Sequence, residues 1–113
     1  MPQIVTSAPA IILCTLNAKY IHASLGLRYL MANMARHGSP QLAQRTVVTE
    51  FTLARKTPDM VHELLEQLGP KQPGQVQIIG FGVYIWNVTQ TTELVRALKS
   101  QRPELKIVLG GPE

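Results

Sequence analysis

The sequence predicts an α/β domain in which a parallel sheet is layered between helices. Two observations carry that expectation. Four apolar, β-branched runs alternate with three segments of helical periodicity. The connections between runs are long enough for helical crossovers and too long for hairpins.

The first strand is expected over Ile11-Ile12-Leu13-Cys14-Thr15-Leu16. A loop from Asn17 to Ala23 leads to a helix from about Ser24 to His37, where Leu27, Leu30, Met31 and Met34 form one apolar stripe. Gly38 and Pro40 end it. The second strand, Thr46 to Thr52, alternates: Val47, Thr49 and Phe51 share one face, and Val48 and Glu50 the other, as suits a sheet edge. Thr57 is expected to cap the next helix, with Pro58 at its first position, where the missing N–H costs nothing. Its stripe is Val61, Leu64, Leu65 and Leu68, closed by Gly69-Pro70. The third strand, Val76 to Tyr84, is nearly all apolar, the mark of a strand covered on both faces. Asn87 and Gln90 have capping-box spacing for a helix with Leu94, Val95 and Leu98 inward, and Pro103 ends it. The fourth strand, Leu105 to Leu109, is expected to be buried and runs into Gly110-Gly111-Pro112-Glu113. Right-handed crossovers then favour strand order 2-1-3-4, the flavodoxin-like beginning of a Rossmann-like three-layer sandwich. A glycine-tipped last strand leads us to expect truncation before a fifth strand, hence a fragment of a longer enzyme.

Composition narrows the function. The 113 residues allow one domain, and 45% apolar with 16% charged residues is a globular balance. No apolar run reaches the ~18 residues needed to span a bilayer. Cys14 is the only cysteine, so no internal disulfide forms and the cytoplasm is the default compartment. The net charge of +4 comes from scattered lysines and arginines, which argues for a solvated surface and against nucleic-acid binding.

Ligands of open α/β sheets bind beyond the C-terminal strand ends, so the loops at Thr15–Ser24, Val83–Asn87 and Gly110–Glu113 are the candidates. A phosphoacceptor site needs clustered aspartates, and Asp59 is the only one. A dinucleotide fold needs glycines directly after the first strand, but none occurs before Gly26. No P-loop triplet is present, and Thr15 alone supplies little for a flavin phosphate. Glu50 by itself is a weak ribose acceptor. Cys14 lies inside a strand and reads as a buried structural thiol. His22, His37 and His62 fall on separate elements without metal-ligand spacing.

Three segments stand out. Leu16-Asn17-Ala18-Lys19-Tyr20-Ile21-His22 precedes a helix opening Ser24-Leu25-Gly26-Leu27; Gly80-Phe81-Gly82-Val83-Tyr84-Ile85-Trp86-Asn87 ends the third strand; Val108-Leu109-Gly110-Gly111-Pro112 ends the fourth. In this order, from about Ile11 to Glu113, they resemble the N-terminal cobalamin-binding domain of radical S-adenosylmethionine enzymes, a family that includes proteins described as anaerobic magnesium-protoporphyrin monomethyl ester cyclases. The resemblance implies cobalamin as cofactor, bound around Thr15, Asn17, Tyr20, His22, Ser24, Gly82, Tyr84, Trp86, Gly110 and Gly111, and no catalytic residue in this stretch. The glycines would let a nucleotide tail or corrin edge lie against backbone, and the aromatics would pack on the corrin or on a neighbouring domain.

The family's histidine-on members carry Asp-x-His-x-x-Gly. Here Gly26 follows His22 by four positions and Tyr20 replaces the aspartate, which argues against His22 as cobalt ligand, since such an imidazole needs an orienting acceptor. A 4Fe-4S cluster and S-adenosylmethionine would belong to a C-terminal catalytic part, the expected partner, as would the chemistry of a methyltransferase or cyclase. The alternatives are a degenerate α/β domain for interaction or substrate positioning without cobalamin, and a nucleotide-binding domain using the helix start after Ser24 as an anion site. Self-association through an exposed fourth-strand edge is a further expectation.

Overall fold

β1 (Ile11–Asn17), β2 (Thr46–Thr52), β3 (Ile78–Gly82) and β4 (Lys106–Gly110) form one sheet in the order β2-β1-β3-β4, and every neighbouring pair is parallel. This computed structural model describes residues 10–17, 32–33 and 44–111. The α/β class, the parallel sheet and the order 2-1-3-4 are as the sequence predicts, in a flavodoxin-like layout. Of the first predicted helix only Ala32 and Asn33, both helical, fall within the described residues.

β1 is central, and all seven of its residues are buried. Its alternation divides the interior. Ile12, Cys14 and Leu16 turn to the face covered by α1 (Thr57–Leu68) and α2 (Val88–Gln101), where they meet Phe51, Leu64, Ile79, Phe81 and Leu94. Ile11 and Leu13 turn to the other face and pack with Val48 and Ile78. The two helices pack side by side, as expected when both crossovers, β2 to β3 and β3 to β4, step the same way across the sheet with right-handed chirality.

Element boundaries shift for identifiable reasons. The N-cap position of α1 is Lys56, not Thr57, without a side-chain capping bond, and Pro58 lies in its first turn; Thr57 enters the helix and its hydroxyl instead donates to Glu93 of α2. β3 is shorter than the apolar run. Val76 is exposed, and the ladder starts only at Ile78, whose N–H donates to Ala10. β4 starts one residue late because the Leu105 N–H closes a turn onto the Arg102 carbonyl. The expectation of a buried fourth strand is overturned. Four of the five β4 residues are exposed, because no further strand pairs with its outer edge among the described residues.

At the N-terminal end of the sheet a polar brace joins three elements. Gln77, buried before β3, donates through Nε2 to the carbonyls of Leu68 and Gly69, while its Oε1 accepts from Arg102 Nη1 at 2.8 Å. Arg102 also donates to Gly69 O at 2.9 Å. The last carbonyls of α1, without partners inside the helix, are thereby satisfied. In the core, Leu64 is fully buried in the layer between α1 and the sheet. Leu64→Ala is expected to cost about 2–5 kcal/mol, read as a lowered urea midpoint with an unchanged slope.

Candidate functional site

The candidate crevice lies beyond the C-terminal ends of β1 and β3, where the chain's strand order reverses direction. Asn87 organises it. Its side chain was expected to cap α2, but it makes no capping bond to that helix. It is fully buried, and its Nδ2 donates to Leu16 O at 3.0 Å and to Gly82 O at 3.1 Å. The Tyr84 N–H donates to Asn87 Oδ1 at 2.8 Å, and the Asn87 N–H returns to Tyr84 O at 3.0 Å. One amide thus joins the tips of β1 and β3 and fixes the turn between β3 and α2. Thr15 adds a longer contact on the sheet, its buried hydroxyl donating to Gly82 O at 3.4 Å.

That turn presents the two aromatics. Tyr84 and Trp86 stack with ring centroids 4.6 Å apart and planes 3° from parallel. Tyr84 lies where a Cβ on Gly82 would meet its Cε2 at 3.5 Å. Trp86 is 51% exposed and has one ring face against Tyr84. On the neighbouring strand pair, Asn17 Nδ2 donates to Glu50 Oε2 at 2.7 Å.

The glycines separate into two kinds. At Gly111, φ is +112° and an added Cβ would lie 2.5 Å from Val83 O. The glycine there is required by the approach of the β3 and β4 ends, which the bond from Val83 N–H to Gly110 O also holds at 2.7 Å. At Gly82 the missing side chain makes room for Tyr84, and at Gly80 a Cβ would touch Leu13 at 3.4 Å. Gly110 is different: among the described residues a Cβ there meets nothing within 4 Å. Nothing among them packs there that would require a glycine.

Thr15, Gly82, Tyr84 and Trp86 therefore form one contiguous group, and Gly110 and Gly111 join it through Val83. Asn17 pairs with β2 instead. Tyr20, His22 and Ser24 lie outside the described residues, as does the anion site expected at the helix start. Cys14 is fully buried among apolar side chains; burial, and then the charges of Glu63 and Glu50, push its thiol far above the usual range, so it stays protonated and unreactive. Among the described residues no cluster of three or more His, Cys, Asp or Glu side chains is placed to hold a metal ion, and no helix is long and apolar enough to cross a membrane. Sequence reasoning missed the bridging role of Asn87. The available signal was a polar residue directly after the aromatic tip, but its spacing to Gln90 fitted a cap equally well.

No family model, curated protein or solved structure matches the chain.

Three substitutions test this arrangement. Asn87→Ala removes the donor to two buried carbonyls and the acceptor for Tyr84 N–H; it is expected to cost about 2–3 kcal/mol in chemical denaturation. Gly111→Ala is expected to cost more than about 1 kcal/mol, whereas Gly110→Ala should stay within about 0.5 kcal/mol of the parent. Equal effects at the two glycines would contradict the distinction drawn between them.

Proposed function

We propose that this chain is the corrinoid-binding module of a radical S-adenosylmethionine enzyme. It would not be catalytic by itself: a C-terminal catalytic part would hold the 4Fe-4S cluster and S-adenosylmethionine and carry a methyltransferase or cyclase reaction. The motif resemblance motivates the reading. The observation that supports it most directly is Gly110, a side-chain-free position at the strand ends that neither its backbone conformation nor packing among the described residues requires.

The described residues suit part of such a ligand. Gly110 leaves a backbone edge open to a flat ring margin or a nucleotide tail. The half-exposed indole of Trp86, stacked on Tyr84, offers apolar surface to a ring system. Thr15 and Asn17 place polar groups on β1 near the same end. When bound, the corrinoid supplies a cobalt centre able to carry a one-carbon group. The chain's own part is to seat and orient it, and the reading assigns no cobalt ligand. A cytoplasmic setting belongs to the same proposal.

A second reading, an interaction or substrate-positioning domain without cobalamin, is favoured by one specific feature. Asn87 closes the gap between the β1 and β3 tips, and Tyr84 occupies the space above Gly82. A ligand reaching deep between the two strands would have to displace both.

The deciding experiment is visible absorption of the purified chain after incubation with hydroxocobalamin and desalting. The corrinoid reading expects retained corrin bands. Gly110→Val should lower affinity at least tenfold, about 1.4 kcal/mol, without moving the urea midpoint. Absence of retention by the parent chain favours the interaction domain. Retention unaffected by Gly110→Val would place the ligand elsewhere.

A further inference from the structure

The ladder aligns Thr15 with Gly82 and Gly82 with Gly110 near the C-terminal end of the sheet. Residues paired in this way point to the same side. Alternation along β1 puts the row with Ile11 and Leu13, on the face away from α1 and α2. One threonine and two glycines make it a shelf of nearly bare backbone, about 10 Å across two strand spacings. Tyr84 stands over its middle. A Cβ on Gly82 would lie 3.5 Å from Tyr84 Cε2 and 3.6 Å from Thr15 Oγ1. That is full van der Waals contact, so the phenol ring already fills the layer directly above this glycine. Two contacts fix the ring's place: Tyr84 N–H donates to the Oδ1 of the buried Asn87 at 2.8 Å, and Trp86 stacks on the ring at 4.6 Å.

We propose that Tyr84 is a specificity-determining residue that keeps the nucleotide tail of a corrinoid off this shelf. The chain then seats the ring alone and takes tail-less cobinamide as readily as cobalamin. The inference rests on the corrinoid reading and adds which part of the ligand is recognised. A corrinoid offers a protein two shapes, a broad ring and a slender tail ending in a flat base. A flat base laid on Gly82 needs the plane that Tyr84 occupies. Admitting it means breaking the stack on Trp86 and moving the turn that Asn87 ties to Leu16 O and Gly82 O. A ring margin at Gly110 meets no such obstacle among the described residues, where a Cβ has no neighbour within 4 Å. Discrimination here comes from a filled space that penalises one ligand form, not from an added attraction to the other.

The test compares dicyanocobalamin with dicyanocobinamide by equilibrium dialysis. Cyanide fills both axial positions of each, so the pair differs in the nucleotide tail and not in what the cobalt can bind. The parent chain should bind the two within threefold of each other. Tyr84→Ala should shift the ratio at least tenfold toward the cobalamin form, whatever it does to either affinity. Tyr84→Val should shift it the same way by a smaller factor, and Tyr84→Phe, which keeps the ring, should leave the parent ratio. A parent chain that prefers the cobalamin form tenfold or more, or a ratio unmoved by Tyr84→Ala and Tyr84→Val, would overturn the assignment while leaving the corrinoid reading intact. Binding of neither compound by the parent would overturn that reading and this inference with it.

Discussion

β1 lies between β2 and β3 with both of its edges paired and all of its side chains buried, and the remaining elements follow from that requirement. A strand in this position exposes no backbone group to water, so its neighbours must supply every hydrogen bond. Its alternating side chains need an apolar layer on each side. α1 and α2 provide one layer around Ile12, Cys14 and Leu16; Val48 and Ile78 flank Ile11 and Leu13 on the other. The same burial explains why the chain's only thiol is chemically silent.

The two ends of the sheet are finished by different polar devices. At the N-terminal end, Gln77 and Arg102 satisfy the last carbonyls of α1 and tie that helix to the approach of β3. At the C-terminal end, Asn87 links β1, β3 and the turn that carries Tyr84 and Trp86. A buried amide that uses both its donor and its acceptor fixes backbone geometry on several strands at once. Losing it leaves orphaned partners, which is why such groups matter beyond the strength of one bond. The exposed indole therefore projects from a turn whose shape is set in advance.

Glycine-rich tips attract ligand interpretations, and the packing here divides them. Gly82 makes room for an aromatic ring, Gly80 for Leu13, and Gly111 for the backbone of Val83. These have sufficient reasons within the fold. Among the described residues Gly110 has none, and the functional reading rests on it together with the aromatic pair. Val108 and Leu109, both exposed, belong to the same strand that carries Gly110.

Periodicity in the sequence determined the elements and their order. The alternation in β2, the fully apolar β1 and the stripe of α1 each follow from which positions must meet a core, and crossover chirality turns that sequence of elements into 2-1-3-4. Residue pattern also marked Cys14 as a buried thiol. It did not locate the cap of α1 or the start of β3, because boundaries depend on single hydrogen bonds that local composition leaves open. Nor did it reveal that Asn87 serves two strands instead of its own helix, since its partners Leu16 and Gly82 are separated from each other by most of the domain. Only the tertiary structure decided which glycines are required, because that depends on what a Cβ would meet across the sheet. It also turned the expectation of a buried β4 into an exposed one: apolar sequence records what a strand is suited to lie against, while burial depends on whether a neighbour is there.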